Sequence, residues 1–441
     1  MSAKSRSETS HLTANFRNDP YWLDAAGSEL NKLTGSPETL PVRAEVVVIG
    51  AGYTGLSAAL ELARAGRDVV VLDALGVGAG CSSRNGGLVG PSYHKLGLDG
   101  LAASHGRKKA NSVIAESRDC LEYLLEFIGN EKIDCSLRRS GRFRGADRPG
   151  HYEDLAREIK GLQKAVELEA DMVPQADQHA EIGSDAYYGG AVYHRDGHLH
   201  PGQYVAGLAA RVAAAGARII GHSEVSGIRR DDRFLTLAVG GRQLEADQVL
   251  VATNGYTPPA LGWFRRRVIP IRSAIIATEA LATSLIKELS PKDRCFSGTS
   301  RLMLYYRASS DGTRMILGGR SAHLDDRPMS YTRDLHTQMI RIFPQLADVK
   351  VTHGWSGTVA YTFDHVPHIG QHKGLYYAMG YCGSGVGRAT FYGNKVAKKM
   401  MGQSGATTAL DDLDFRTRPF YTGMPWFLPA ILRWHAFMDK R

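Results

Sequence analysis

A glycine-rich turn followed by an acidic residue gives this chain its clearest chemical signal. The segment Gly50–Gly55 (GAGYTG) lies between an apolar run and an amphipathic run. In a GxGxxG turn the first glycine permits a tight turn and the second lets backbone N–H groups approach a pyrophosphate, while the third lets the helix lie close on the strand. Asp73 lies 18 residues beyond Gly55, where a carboxylate can accept hydrogen bonds from a ribose. The pattern predicts a dinucleotide site.

Two further glycine clusters favour FAD over NAD as the dinucleotide. Gly76–Gly87 (GVGAGCSSRNGG) follows Asp73 almost at once, and Gly383–Gly387 (GSGVG) precedes a helical pattern. An FAD molecule lies extended across its domain, so its ribityl chain and pyrophosphate need backbone donors and small hydroxyls beyond the first turn. A helix N-terminus at the third cluster would stabilise the anion that forms when a flavin is reduced.

The elements that must position these clusters have the pattern of a parallel sheet. The runs at 44–50 and 68–74 are rich in valine, as buried parallel strands are, and the segment between them is an amphipathic helix that Gly66 ends. A helix over Pro201–Ala215 with a strand at 217–221, and a strand at 247–255, repeat this rhythm. The unit at 374–402 repeats the order of strand, glycine turn and helix.

We therefore expect an α/β protein, α+β overall, with a Rossmann-like FAD-binding domain assembled from discontinuous segments and a mostly antiparallel β-sheet substrate domain. The FAD-binding domain takes 41–96, 186–257 and 355–403, and the alternating runs of 268–320 place the substrate domain at 258–354. Segment 97–185 is a mixed connection with helices at 111–128 and 151–169. Residues 1–40 are an irregular arm packing through Tyr21, Trp22 and Leu23, and 404–441 form a tail.

Composition excludes several other classes of protein. The 441 residues are 43% apolar and 22% charged, which is typical of a globular chain. Five cysteines without CxxC spacing indicate neither a disulfide framework nor a metal site. The N-terminus lacks the apolar core of a signal peptide, and no run approaches about 18 apolar residues. The net charge of +9 permits an acidic partner such as nucleic acid, but the basic clusters of the chain lack interleaved aromatic residues. We therefore expect a cytoplasmic protein that does not bind nucleic acid.

Three stretches in combination resemble the D-amino acid oxidase/glycine oxidase superfamily, closest to its γ-glutamylputrescine oxidase and pipecolate oxidase branch. They are VVVIGAGYTGLSAALELARAG, CSSRNGGLV and DHVPHIG…GLYYAMGYCGSGVG, and the resemblance covers residues 40–402. It implies FAD, a two-domain fold and oxidation of a C–N bond.

Departures from that family refine the expectation. Sarcosine oxidases hold their flavin through a cysteine just before the position of 359–362, and the dimethylglycine dehydrogenase branch uses a histidine where Arg84 stands. Neither attachment residue is present, so noncovalent FAD is expected. The substrate-binding lysine of sarcosine oxidases corresponds to Gly387, and their oxygen-activating lysine to Ile316. Small N-methyl amino acids are therefore disfavoured, and oxygen as acceptor is left open.

The candidate site residues follow from the motifs and the resemblance. We expect His94, beyond the second cluster, and Tyr306, favoured over Tyr305, to line the substrate site, and Arg307 and Arg320 to clamp a carboxylate. His198 and His200 instead read as a packing motif at a helix start. The expected cofactor residues are Gly50, Gly52, Tyr53, Thr54, Gly55, Asp73, Ala74, Gly80, Ser82, Ser83, Arg84, Asn85, Gly86, Leu88, Val225, Asn254, Gly255, Gly383, Ser384, Gly385, Val386 and Gly387.

The predicted activity is oxidation of a primary or secondary amine to an imine by hydride transfer to flavin N5, followed by hydrolysis. The amine is an amino acid, a polyamine or a γ-glutamylated amine. One alternative is an amine dehydrogenase that passes electrons to a quinone instead of oxygen. Another is an RNA-modifying flavoprotein that acts on transfer RNA. The aromatic segment 425–441 either docks on the protein or lies on a membrane surface.

Overall fold

The computed structural model describes residues 11–93, 95–231, 233–319 and 328–439. Its strands are β1 (Leu12–Arg17), β2 (Arg43–Ile49), β3 (Val69–Leu72), β4 (Leu88–Val89), β5 (Arg142–Gly145), β6 (Ala170–Val173), β7 (Gly190–Tyr193), β8 (Gly197–His198), β9 (Arg218–Ile220), β10 (Val225–Arg230), β11 (Leu235–Val239), β12 (Arg242–Val251), β13 (Ile269–Thr278), β14 (Cys295–Gly298), β15 (Leu304–Ala308), β16 (Met315–Gly319), β17 (Val351–Tyr361), β18 (His368–His372) and β19 (Leu375–Met379). Its α-helices are α1 (Leu23–Leu33), α2 (Tyr53–Arg64), α3 (Gly97–His105), α4 (Arg107–Asn130), α5 (Pro149–Ala165), α6 (Pro201–Ala214), α7 (Gly262–Arg265), α8 (Thr283–Leu289), α9 (Pro328–Ile342), α10 (Gly385–Met400) and α11 (Leu428–Met438).

The first sheet, called here the nucleotide sheet, has a parallel centre in the order β9-β3-β2-β12-β19. Alternate side chains of β2 enter two different cores. Val46 and Val48 pack with helices α2 and α10, whereas Val47 and Ile49 pack with the antiparallel strands β10 and β11. Burial on both faces explains the continuous apolar run, because neither face of this strand meets water. The predicted Rossmann-like domain built from distant segments is confirmed.

The second sheet, called here the substrate sheet, has the order β1-β17-β13-β16-β15-β14-β5-β7-β6. Its pairs are antiparallel except for β1 with β17 and β5 with β14, which confirms a mostly antiparallel sheet. One face packs on helices α8 and α9 around Phe143, Phe296 and Tyr306. The opposite face carries Tyr305 and Ser297, which line the cavity described below.

The described part of the arm, residues 11–40, is more regular than expected. Strand β1 pairs with β17, and helix α1 follows it. Packing through Trp22 is as predicted, since this side chain is fully buried and its Nε1 donates to the Asn85 carbonyl (2.9 Å). A short strand at the edge of a distant sheet leaves little local pattern, because its partner is more than 300 residues away in sequence.

Two expected domain boundaries also differ from the observed sheets. Strand β7 and strand β17 pair within the substrate sheet, although the sequence placed 186–257 and 355–403 in the FAD-binding domain. Strand β7 pairs with β5, and strand β17 pairs with β13, so each pairing joins separate parts of the chain. Strand β7 is buried throughout, as β3 is, and β17 runs across the expected boundary at 354/355, so local composition does not reveal the sheet to which either strand belongs.

The C-terminal helix α11 docks on the protein by one face. Leu428 and Leu432 are buried in a cluster with Tyr361 and Cys382. Within the residues that the structure describes, no helix is long and apolar enough to cross a bilayer.

Candidate functional site

A cavity of about 860 Å³, called here the central cavity, extends from the nucleotide sheet to the substrate sheet. The first two glycine clusters and the third, which lies about 300 residues further along the chain, meet along its walls. The predicted cofactor residues that line it are Gly50, Gly52, Tyr53, Thr54, Asp73, Ala74, Gly80, Ser82, Arg84, Asn85, Gly86, Leu88, Val225, Asn254, Gly383, Ser384, Gly385 and Val386.

The first turn requires glycine for steric reasons. Gly50 has φ +111°, and a Cβ there would lie 2.8 Å from the Ala252 carbonyl oxygen. A Cβ on Gly55 would lie 1.9 Å from the Gly50 carbonyl oxygen, so glycine alone lets α2 start this close to β2. The cavity beside the turn is therefore backbone-lined, as the approach of a pyrophosphate requires.

Asp73 closes the nucleotide end of the cavity at the carboxyl end of β3. Its carboxylate accepts hydrogen bonds from the amides of Ala51 and Leu75 (both 2.9 Å) and so holds two loops together. Burial raises its pKa, and these backbone bonds oppose that shift. Ser223 and Val225 line the same end, where a ribose can meet the carboxylate.

The second cluster is locked by its own side chains. Arg84 donates from Nε to the Ala79 carbonyl (2.9 Å) and from Nη1 to the Ser356 carbonyl (3.1 Å), which joins this loop to the substrate sheet. Asn85 Oδ1 accepts from the amide of Gly87 (2.8 Å). These contacts give the middle of the cavity a fixed wall of backbone groups.

The third cluster follows β19 in the chain, lies beside the end of β17 and leads into α10. The Cys382 amide donates to the Ala360 carbonyl (2.9 Å), and Gly383 has φ +88°. Asn254 Oδ1 accepts from the Gly380 amide (2.9 Å), so the β12 and β19 ends are tied together. The first turn of α10 faces the cavity with its partial positive charge. Glycine turns, a carboxylate and two helix N-termini around one elongated space fit FAD.

Four predicted cofactor residues lie outside the cavity lining: Gly55, Ser83, Gly255 and Gly387. Ser83 is buried, and its hydroxyl donates to a backbone carbonyl within its own loop (2.8 Å). A Cβ on Gly255 would lie 2.8 Å from the Thr358 carbonyl oxygen, and one on Gly387 would lie 3.1 Å from the Cys120 carbonyl oxygen. These residues permit close packing of elements and do not face the cavity.

The prediction that Tyr306 faces the site is wrong, and Tyr305 takes its place. Strand alternation puts Tyr306 on the opposite face of β15, stacked on Phe296 with a hydrogen bond to the Tyr187 hydroxyl (2.6 Å). Tyr305 lines the cavity and shares a hydrogen bond with the Ser273 hydroxyl (2.9 Å). The sequence pattern shows that the two tyrosines point to opposite faces but not which face meets the cofactor.

Arg307 is not positioned to clamp a substrate. It is fully buried, and its guanidinium donates to the carbonyls of Gly86 (2.9 Å), Leu199 (2.7 Å) and Ala308 (3.0 Å) and to His198 Nδ1 (3.1 Å). Burial lowers the pKa of Arg307 to about 10, which leaves the group charged at neutral pH. Arg307 therefore secures the second cluster from behind.

Two other predicted residues, His94 and Arg320, lie outside the residues that the structure describes. The reading of His198 and His200 as a packing motif at a helix start is confirmed. His200 precedes α6, and its Nδ1 accepts from the Gln203 amide (3.1 Å). Both histidines are buried.

Charged residues on β5 and its neighbours line the far end of the cavity and were missed from sequence. Arg142 donates from Nε to Asp196 (2.7 Å), and Arg144 donates from Nη1 to both oxygens of Glu158 (2.9 and 3.1 Å). Phe143 between the arginines enters the opposite core. The alternation of arginine, phenylalanine and arginine was the available signal, since it places both cations on one face of a strand.

Comparisons with known proteins agree with this geometry. Residues 45–399 match the model of the DAO family, described as FAD dependent oxidoreductase. The probable oxidoreductase OrdL of Rhizobium meliloti (strain 1021) is 31% identical over 408 residues, which are 90% of this chain and 92% of that relative. The gamma-glutamylputrescine oxidoreductase of Escherichia coli (strain K12) is 31% identical over 405 residues, which are 91% and 93% of the two chains.

A solved structure supports the same assignment at the level of the fold. The glycine oxidase of Geobacillus kaustophilus superposes with a TM-score of 0.71 at 21% identity, covering 86% of this chain and 99% of that chain. The glycine clusters, the backbone-lined cavity and the family match over most of the chain lead to one conclusion. This chain belongs to the DAO family of FAD-dependent oxidoreductases.

Proposed function

We propose that this protein oxidises an amine to an imine, which water then hydrolyses to a carbonyl compound. The observation that carries the proposal is that the central cavity joins the three cofactor-binding clusters to a polar pocket on the substrate sheet. Bound FAD would supply the hydride acceptor.

The chain's own residues would act mainly by positioning the amine. Tyr305, held by Ser273, presents a hydroxyl from the centre of the substrate sheet. Ser297 and Met303 line the cavity beside it. A rigid sheet face of this kind holds a substrate carbon in a fixed orientation, and such orientation supplies much of the rate when little acid–base chemistry is needed. His94 and Arg320 stay proposed contacts of the substrate.

The substrate we propose is an extended amine of the γ-glutamylated class. The relative named for gamma-glutamylputrescine shares 31% of its residues with this chain over nearly the full length of both. The far end of the cavity is lined by charged side chains, among them Arg142, Arg144 and Glu158, which suit a substrate with a polar second end. A small amino acid would leave that end unused.

Anaerobic flavin reduction tests the proposal. The purified yellow protein is mixed with γ-glutamylputrescine, putrescine, pipecolate, glycine and sarcosine, and flavin absorbance is followed. We expect rapid bleaching with γ-glutamylputrescine and slow or no bleaching with sarcosine. Protein that carries flavin and is bleached by none of these amines would contradict the proposed activity.

A quinone is the second candidate for the electron acceptor, and the C-terminal segment favours it. Residues 415–438 contain three arginines and no acidic residue. Large apolar side chains of this segment are exposed although α11 docks by its other face: Phe420, Met424, Trp426, Ile431, Trp434 and Phe437. An exposed apolar face edged by arginines suits the surface of an anionic membrane, where a quinone would be available.

Two measurements separate the acceptors and test the membrane contact. Peroxide yield per amine oxidised is compared with the reduction of a soluble ubiquinone analogue in air. Sedimentation with vesicles of phosphatidylglycerol is compared with sedimentation with phosphatidylcholine, using a W426S/W434S/F437S variant and a Y188S control outside the segment. Stoichiometric peroxide, with no binding to anionic vesicles, would leave oxygen as the acceptor.

No observation favours the transfer RNA alternative. The two curated relatives are both named as oxidoreductases, and one of them is named for an amine. A salt-sensitive gel shift with transfer RNA would be needed to support it.

A further inference from the structure

Among the described arginines that line the central cavity, Arg142 is the one whose guanidinium is hydrogen-bonded through Nε alone, so neither of its Nη groups makes a hydrogen bond. The side chain is 17% exposed, and it lines the cavity from strand β5. Its Nε donates to Asp196 Oδ2 (2.7 Å), and its guanidinium lies over the ring of Tyr193 (4.7 Å). Both partners are buried, at 4% and 3% exposure, so the guanidinium plane has a defined orientation.

Arg142 lines the cavity, and its two terminal nitrogens make no hydrogen bond with the described residues. Within residues 11–93, 95–231, 233–319 and 328–439, this guanidinium makes one hydrogen bond, which is the bond to Asp196. The neighbouring Arg144 differs, because both oxygens of Glu158 accept from its Nη1, so its two Nη groups are not available together. A guanidinium oriented through Nε presents its two Nη groups as a fork that matches the two oxygens of a carboxylate.

We propose that Arg142 binds a carboxylate at the distal end of the amine substrate and so selects acid-bearing amines. This inference rests on the proposed function and names the group that decides its specificity. Asp196 acts as a positioning residue that holds the guanidinium, and Tyr193 supports its face.

The spacing along the substrate sheet favours a carboxylate at the far end of the substrate over one attached to the carbon that is oxidised. Strand β14 lies between β5 and β15. On β14, Cys295 lies opposite Arg142 of β5, and Ser297, two residues further on, lies opposite Tyr305 of β15. Two strand spacings and two residues along a strand place Arg142 about 12 Å from Tyr305. The nine bonds from the oxidisable carbon of γ-glutamylputrescine to its carboxyl carbon span roughly 10–11 Å when extended, as three residues of chain do.

Paired substrates and a binding probe test the proposal. The substrates are γ-glutamylputrescine and N-acetylputrescine, which share the reacting amine but differ in the carboxylate. For Arg142→Gln we expect kcat/KM to fall about 100-fold or more with γ-glutamylputrescine and less than about threefold with N-acetylputrescine. The probe is γ-glutamyl-n-butylamide, which lacks the terminal amine, and its Kd by calorimetry should rise by a similar factor.

Additional variants exclude a merely structural effect. Arg142→Lys keeps the charge beside Asp196 but loses the fork, so an intermediate loss is expected. The R142Q/D196N double variant avoids leaving a buried carboxylate unpaired and should behave like R142Q. Arg139→Gln, an exposed position on the same segment outside the cavity lining, should behave like the wild type.

The outcomes distinguish this inference from the proposed function. Equal losses with both substrates, or an unchanged Kd for the probe in well-folded R142Q, would overturn the role of Arg142. If neither amine reduces the flavin of the wild type, the proposed function fails, while the Kd comparison with γ-glutamyl-n-butylamide still decides whether Arg142 binds a carboxylate.

Discussion

Two arginines on the substrate sheet, Arg307 and Arg142, show how hydrogen-bond partners decide what a residue can do. Arg307 makes four hydrogen bonds inside the protein and is not among the described residues that line the cavity. Arg142 makes one and lines the cavity. Both are arginines on strands, so residue type alone cannot separate a structural guanidinium from one that is available to a ligand.

The two adjacent tyrosines of β15 yield a paired prediction. Tyr305→Phe removes the hydroxyl that faces the cavity, so we expect kcat/KM for the amine to fall about tenfold with little change in Tm. Tyr306→Phe removes the partner of the buried Tyr187 hydroxyl and should cost about 1–2 kcal/mol of stability with little effect on kinetics. Steady-state kinetics and thermal unfolding of both variants check this, and the reverse assignment would show that Tyr306 faces the substrate.

At the scale of an element, the first glycine turn is a sensitive point for cofactor binding. Gly50→Ala forces a Cβ against the Ala252 carbonyl at a φ of +111°, which an alanine rarely adopts. We expect the variant to be purified with less than about a tenth of the wild-type flavin. Gly227→Ala, in strand β10, is the control, because a Cβ there would make only an ordinary van der Waals contact with Ala238 Cβ (3.9 Å). Full flavin content in the Gly50 variant would mean that the turn can shift without loss.

The start of helix α6 makes stability depend on pH. Burial, and then the Arg307 charge, lower the pKa of His200 to about 4, from an ordinary value near 6.5. The unfolded chain therefore binds this proton first, and stability that is complete above about pH 6.5 is lost progressively as pH falls towards 4.

An asparagine at position 200 should reduce this loss. Asn can accept the same amide bond at the helix start but does not titrate. We expect the fall in Tm between pH 7 and pH 5 to be smaller for His200→Asn than for the wild type, while the exposed His179→Asn leaves it unchanged. An identical pH dependence in H200N would show that other groups dominate acid unfolding.

At the scale of the whole molecule, the central cavity should hold its flavin without a covalent bond. Its lining includes two cysteines, and burial raises the pKa of both, that of Cys81 to about 11. Thiols of this kind stay protonated and unreactive at neutral pH. Arg84 stands in the second cluster with its guanidinium engaged by two carbonyls. Acid precipitation should therefore release FAD into the supernatant, and a yellow pellet would contradict this expectation.

The sequence determined the parts of this protein that local chemistry dictates. The GxGxxG turn, Asp73 and the apolar runs around them specify strand, turn and helix through short-range sterics and hydrogen bonds. Of the 22 residues predicted to bind the cofactor, 18 line the central cavity. The family resemblance indicates the same residues, because the three glycine clusters are also the stretches that carry the resemblance.

Tertiary structure alone decided which residues of the substrate sheet face the cavity. The choice between Tyr305 and Tyr306 depends on which face of the substrate sheet meets the nucleotide domain, and that is settled by pairings such as β13 with β17. Whether the guanidinium of Arg307 or that of Arg142 is available to a ligand depends on the carbonyl and carboxylate groups that accept hydrogen bonds from it. These groups lie about 50 to 220 residues away along the chain. Such contacts form only when distant segments pack, because no local pattern encodes the partner of a buried charge.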